Sequence, residues 1–146
     1  MRIRGSLTVV AATVVLAAIL APAAAQADDG GRPLGAELSG ANEVPPADPN
    51  GSGTVTLRLN PGQQEICYQL QVTDIAPASA AHIHAAMAGV NGPVVVPLAP
   101  PTTGASGGCV EVDRALVRAI IKDPQNYYVN VHNTDFPGGA IRGQLG

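Results

Sequence analysis

Tryptophan is absent from this chain of 146 residues and phenylalanine occurs once, so any core has to be built from Val, Leu, Ile and Ala. Charge is sparse too: 13% of residues are Asp, Glu, Lys or Arg, the formal net charge is −3, and the basic residues form no cluster. That argues against nucleic acid and anionic membrane as partners, since both are gripped by dense Lys/Arg patches. Only two cysteines are present, Cys67 and Cys109, and they lack the Cys-x-x-Cys spacing of a redox dithiol. The apolar run Leu7–Leu20 falls short of the roughly 20 residues a transmembrane helix needs. No internal repeat is visible.

What is there begins with an export signal. Arg2 and Arg4 precede Leu7–Leu20, Pro22 follows, and Ala25-Gln26-Ala27 offers small residues where a signal peptidase cuts. Residues 1–27 therefore read as a secretory signal peptide. No cysteine lies near the cut for lipid attachment, and no Arg-Arg pair marks a twin-arginine signal. The expected product is secreted, to the cell envelope or medium, without a stable membrane anchor. Loss of Arg2 and Arg4 leaves it more acidic. Residues 28–33 are polar and Gly-rich, the composition of a flexible lead, and 34–146 suits one domain.

Alternation dominates that domain. Val55, Leu57 and Leu59 alternate with Thr54, Thr56 and Arg58, and Asn60-Pro61-Gly62 turns the chain into Ile66, Tyr68, Leu70 and Val72. Cys67 falls on the polar side of its strand, and Cys109 shares a side with Glu111. In an oxidising compartment the two cysteines are expected to form a disulfide stapling one sheet on its outer face. Further strands are expected around Leu34–Leu38, His82–His84, Val94–Val96, Tyr127–His132 and Ala140–Leu145. Loops are expected over 42–53 and 99–108, and Pro97 marks an edge or exit. One helix follows Asp113 as N-cap, with Leu116, Val117, Ile120 and Ile121 as its apolar stripe and Pro124 as its stop. The fold class is all-β: an antiparallel β-sandwich, immunoglobulin-like or superoxide-dismutase-like in outline, with seven or eight strands and one short helix.

Five stretches in order carry a resemblance. They are Asn42-Glu43-Val44-Pro45-Pro46, Ala81-His82-Ile83-His84, Gly89-Val90-Asn91-Gly92-Pro93-Val94-Val95, Tyr127-Tyr128-Val129-Asn130-Val131-His132, and Phe136-Pro137-Gly138-Gly139-Ala140-Ile141-Arg142-Gly143-Gln144-Leu145. Together they resemble the CHRD domain, the chordin-type module, with Ala140 where the family often has an acidic residue. The resemblance implies an extracellular β-sandwich and supplies no enzyme activity. Locally, His82, His84, His132 and Arg142 also resemble the histidine strands and C-terminal arginine of copper/zinc superoxide dismutases. Those enzymes use a fourth histidine and a zinc loop, and this chain has no further histidine.

Residues two apart on a strand face the same way, so His82 and His84 can reach one ion; His132, if on a neighbouring strand, completes a set suited to copper or zinc. Against this stands the plainer reading, two outward polar histidines and a third bonded to a loop carbonyl. Glu43 and Arg142, each the sole charge of its motif, are expected to pair and pin the Asn42–Pro46 loop. Ser79, Ser106 and His132 lack a nucleophile elbow or oxyanion signature, and Asp113 beside Glu111 is explained by capping, so no catalytic residue is assigned. The expected function is a secreted, non-catalytic binding module for an extracellular or envelope ligand. Its alternative is a copper- or zinc-binding protein built on the three histidines, with redox chemistry open to it. A structural matrix role rests on the export signal alone.

Overall fold

One hairpin buries alternate side chains. In β2 (Ser52–Asn60) Val55, Leu57 and Leu59 are buried, and in β3 (Glu65–Thr73) so are Ile66, Tyr68, Leu70 and Val72. Their hairpin stays in register from Ser52 opposite Thr73 to Asn60 opposite Glu65. The Asn60 Oδ1 accepts from the amides of Gly62 and Gln63 at 3.1 and 3.2 Å, which shapes the turn. The computed structural model describes residues 30–146. The expected signal peptide and the first residues of the expected lead, 1–29, lie outside the described residues.

The remaining elements are β1 (Arg32–Ser39), β4 (Ala78–Ala85), β5 (Val94–Leu98), β6 (Ala105–Glu111), α1 (Arg114–Lys122), β7 (Tyr127–Asn133) and β8 (Ile141–Gln144). All pairings are antiparallel and form one continuous sheet in the order β5-β4-β7-β8-β1-β2-β3-β6. Ile83, Val96, Val129, Val131 and Ile141 from one half share a core with Leu34, Leu38, Leu57, Ile66 and Leu70 from the other. A single sheet can do that only by curling until its halves face each other. Its two edges nearly meet: Ser106 Oγ in β6 donates to the carbonyl of Ala99 just after β5, at 2.7 Å, and the Ala99 amide donates to Tyr68 Oη at 2.8 Å. The chain is thus an all-β sandwich with one short helix, its layers parts of one sheet.

Asp113 accepts from the Ala115 amide at 2.8 Å as N-cap of α1, which buries Val117 and Ile120 against the core. Cys67 and Cys109 are directly opposite each other on β3 and β6 and form a disulfide on the outer face, where Cys109 is exposed. Two local readings need adjustment. Strand β1 starts at Arg32, opposite Leu59, two residues ahead of the expected Leu34. Strand β6 starts at Ala105, inside the expected loop 99–108; its Ala-Ser-Gly-Gly start is held by the backbone ladder to β3, which composition does not reveal. Strand β5 pairs only with β4, so Pro97 lies on an edge strand as expected, and Val94 is half exposed there.

Candidate functional site

Three strands bring the chemistry together because their inner faces are apolar. Ile83 in β4, Val129 and Val131 in β7, and Ile141 in β8 are fully buried in the core. The alternate residues, His82 and His84, Tyr128, Asn130 and His132, and Arg142, must then share the outer face. The ladders align them in rows, with His82 opposite Asn130 and Asn130 opposite Arg142, and His84 opposite Tyr128. This outer face is not open to solvent along its length. His84, Asn130 and Arg142 are buried, while His82 and His132 are half-buried.

Loops cover it, and Arg142 holds two of them. Its Nε and Nη2 donate to Glu43 Oε2 at 2.7 and 2.6 Å, both side chains being buried. Nη2 also donates to Asn91 Oδ1 at 2.6 Å, and Nη1 to the Val90 carbonyl at 3.3 Å. Asn91 in turn donates to the Val44 carbonyl at 2.8 Å, tying the loops to each other. The guanidinium lies 4.2 Å from the centre of the Tyr128 ring, a cation–π contact. Gly139 completes the seat: its φ is +133°, and a Cβ there would meet Glu43 Oε1 at 2.5 Å. The sequence therefore places Glu43 and Arg142 together across 99 positions.

The histidines converge on the same face. His82 Nδ1 and His132 Nε2 are 3.1 Å apart, and one ligand atom from each of His82, His84 and His132 lies within 4.8 Å of the others. His84 Nδ1 is 2.8 Å from the Gly92 carbonyl, and His132 Nδ1 is 3.0 Å from the Pro137 carbonyl. A carbonyl only accepts, so both Nδ1 atoms carry the proton and both Nε2 atoms present a lone pair. Asn133 Oδ1 accepts from the amides of Asp135 and Phe136, forming the turn that delivers the Pro137 carbonyl. His84 also stacks on Tyr128, ring centres 4.8 Å apart at 11°.

Burial favours the neutral form of His82 and of His84. Burial, then the neighbouring His132 and His84, hold the His82 imidazolium below the ordinary histidine range. His84 is lowered by burial first; the Gly92 carbonyl opposes the shift, His132 and Arg142 add to it, and Asn130 opposes it. Neutral imidazole is the form that ligates a metal. Two nitrogens each 2.0–2.1 Å from one ion would stand roughly 2.9 Å apart at a right angle and roughly 3.4 Å apart at the tetrahedral angle. The 3.1 Å between His82 and His132 lies in that range. The His82 Nδ1–H donates to His132 Nε2 here, so a cation between the two nitrogens would need His82 to carry its proton on Nε2 instead.

Two features of this face escape a reading of histidine spacing. One is the pair of backbone carbonyls that fix the tautomers, which only loop geometry supplies. The other is Asn130, 1% exposed, whose Oδ1 has no partner. Its signal was visible in Val129-Asn130-Val131, a polar residue between two core valines. Ser79 and Ser106 spend their hydroxyls on the carbonyls of His132 and Ala99.

A curled antiparallel sheet with a loop-covered polar face defines a β-sandwich module. The family model of the CHRD domain matches residues 34–145, which is most of the chain. The chain belongs to the CHRD domain family. No curated protein and no solved structure matches it.

Proposed function

We propose that this CHRD-family chain is a secreted, non-catalytic binding module whose ligand is a copper(II) or zinc ion held by His82, His84 and His132. The observation that carries this reading is the pair of backbone carbonyls, from Gly92 and Pro137, that engage the Nδ1 atoms of His84 and His132 and leave their Nε2 atoms as lone-pair donors. Metal-binding histidines almost always donate their other N–H in this way. Three nitrogen donors suit either ion and leave a position for a further ligand. Export rests on residues 1–27, and the Cys67–Cys109 disulfide accords with an oxidising compartment. Calorimetry on the exported protein tests the reading. One copper(II) or zinc ion should bind per chain, and His84→Ala should abolish binding. Absence of saturable binding near neutral pH would leave the histidines as ordinary polar residues.

A further inference from the structure

Asn130 is the position on this face that neighbours all three histidines. It stands opposite His82 across the β4–β7 ladder, two residues before His132 on its own strand, and diagonal to His84. Direct partners on one face lie about 4.5–5.5 Å apart at Cβ and diagonal ones about 7–8 Å. Its short side chain therefore stands beneath the middle of the imidazole group.

Asparagine is a costly choice for such a place. It is buried between two core valines, and burial of a polar group without a partner is unfavourable. Among the described residues, buried side-chain atoms without a partner number three: Glu43 Oε1, His84 Nε2 and Asn130 Oδ1. All three are acceptors on this one face. Folded proteins rarely leave such atoms unmatched.

We propose that Asn130 belongs to the metal centre, its carboxamide Oδ1 lying beneath the ion as a fourth donor alongside His82, His84 and His132. This rests on the metal reading above. Three nitrogens and one neutral oxygen suit copper(II) or zinc. The alternative is a turned amide whose NH2 donates to His84 Nε2 and fixes that ring as a structural contact.

The two assignments separate in a titration with copper(II) alone. The full exported protein is compared with Asn130→Leu and Asn130→Asp by visible absorption and electron paramagnetic resonance, with melts of the copper-free proteins alongside. Asn130→Leu should weaken copper binding by roughly tenfold and shift both spectra, because the nitrogens remain and the oxygen is gone. Asn130→Asp, nearly the same shape with an anionic oxygen, should tighten binding by a similar factor. Without copper, Asn130→Leu should melt no lower than wild type, since an unpartnered acceptor has been removed. Spectra of Asn130→Leu superimposable on wild type, with a lowered melting temperature, would overturn the proposal and make Asn130 a structural residue. If Asn130→Leu does not fold, Asn130→Asp decides alone, and unchanged affinity and spectra overturn the proposal. Wild type that takes up no copper overturns this inference together with the metal reading, whereas wild type that binds while the variants match it overturns this inference only.

Discussion

The outer face of this sheet has two halves that start from the same alternating pattern and end in opposite environments. On β2 and β3, Thr54, Thr56, Arg58, Gln69 and Gln71 point outward and are exposed. On β4, β7 and β8, His84, Asn130 and Arg142 also point outward, and they are buried. The connections differ. Strands β2 and β3 are joined by a tight turn that covers nothing. The segments 40–51, 86–93 and 134–140 are longer, and residues from each bond to the face beneath: Glu43, Asn91 and the Gly92 and Pro137 carbonyls. Alternation assigns a side chain to a face, and the loops decide whether that face is wet.

The arginines test this contrast most strongly. Arg142→Ala should cost about 3–5 kcal/mol, because it strands a buried Glu43 carboxylate. Arg58→Ala, on the exposed half, should change stability by no more than about 0.5 kcal/mol. Urea denaturation of both variants measures the difference, and equal losses would erase the distinction between the halves. Next in size is the disulfide. Replacing Cys67 and Cys109 by alanine should cost about 2–4 kcal/mol. It should leave copper affinity unchanged, because the bond staples β3 to β6 and not the histidine face. A loss of copper binding in that variant would show the halves to be coupled.

The smallest effect is one of pH. The native state holds His82 and His84 below the ordinary histidine value of 6.5, so the unfolded chain takes up protons first as pH falls. Their contribution to stability is present above that value and is lost as pH drops through it toward the lowered native values. Denaturation midpoints collected across this window should decline for wild type and stay flatter for His82→Gln/His84→Gln. A decline of the same slope in both would place the pH sensitivity elsewhere, on the exposed half.

Much of the fold was legible because its apolar residues recur with period two. Ile83 and the Val129/Val131 pair were enough to assign both histidine strands to a face, and Asp113 with Pro124 bounded the helix. Strand β6 was not legible: Gly107 and Gly108 carry no pattern, and only pairing with β3 makes them strand. The ion pair could be suspected from two isolated charges. Its burial could not, since it depends on where the Asn42–Pro46 loop comes to rest. Asn130 was passed over for a different reason. Its chemistry emerges from an unmatched lone pair, and that is a property of neighbours rather than of sequence spacing.

The contact between Glu43 and Arg142 has a temporal side. The β2–β3 hairpin closes over a few residues, whereas this ion pair, like the pairing of Ser39 with Arg142, joins positions about a hundred apart. Closure over long separations is entropically harder, and distant pairings are slow to form. The hairpin should therefore organise early and the covered face late. Until β8 docks beside β7, the loops that orient His84 and His132 lack their anchor. A chain still folding would then display histidines without the walls that aim them, and under the proposed metal reading firm capture of an ion would mark a molecule that has finished folding.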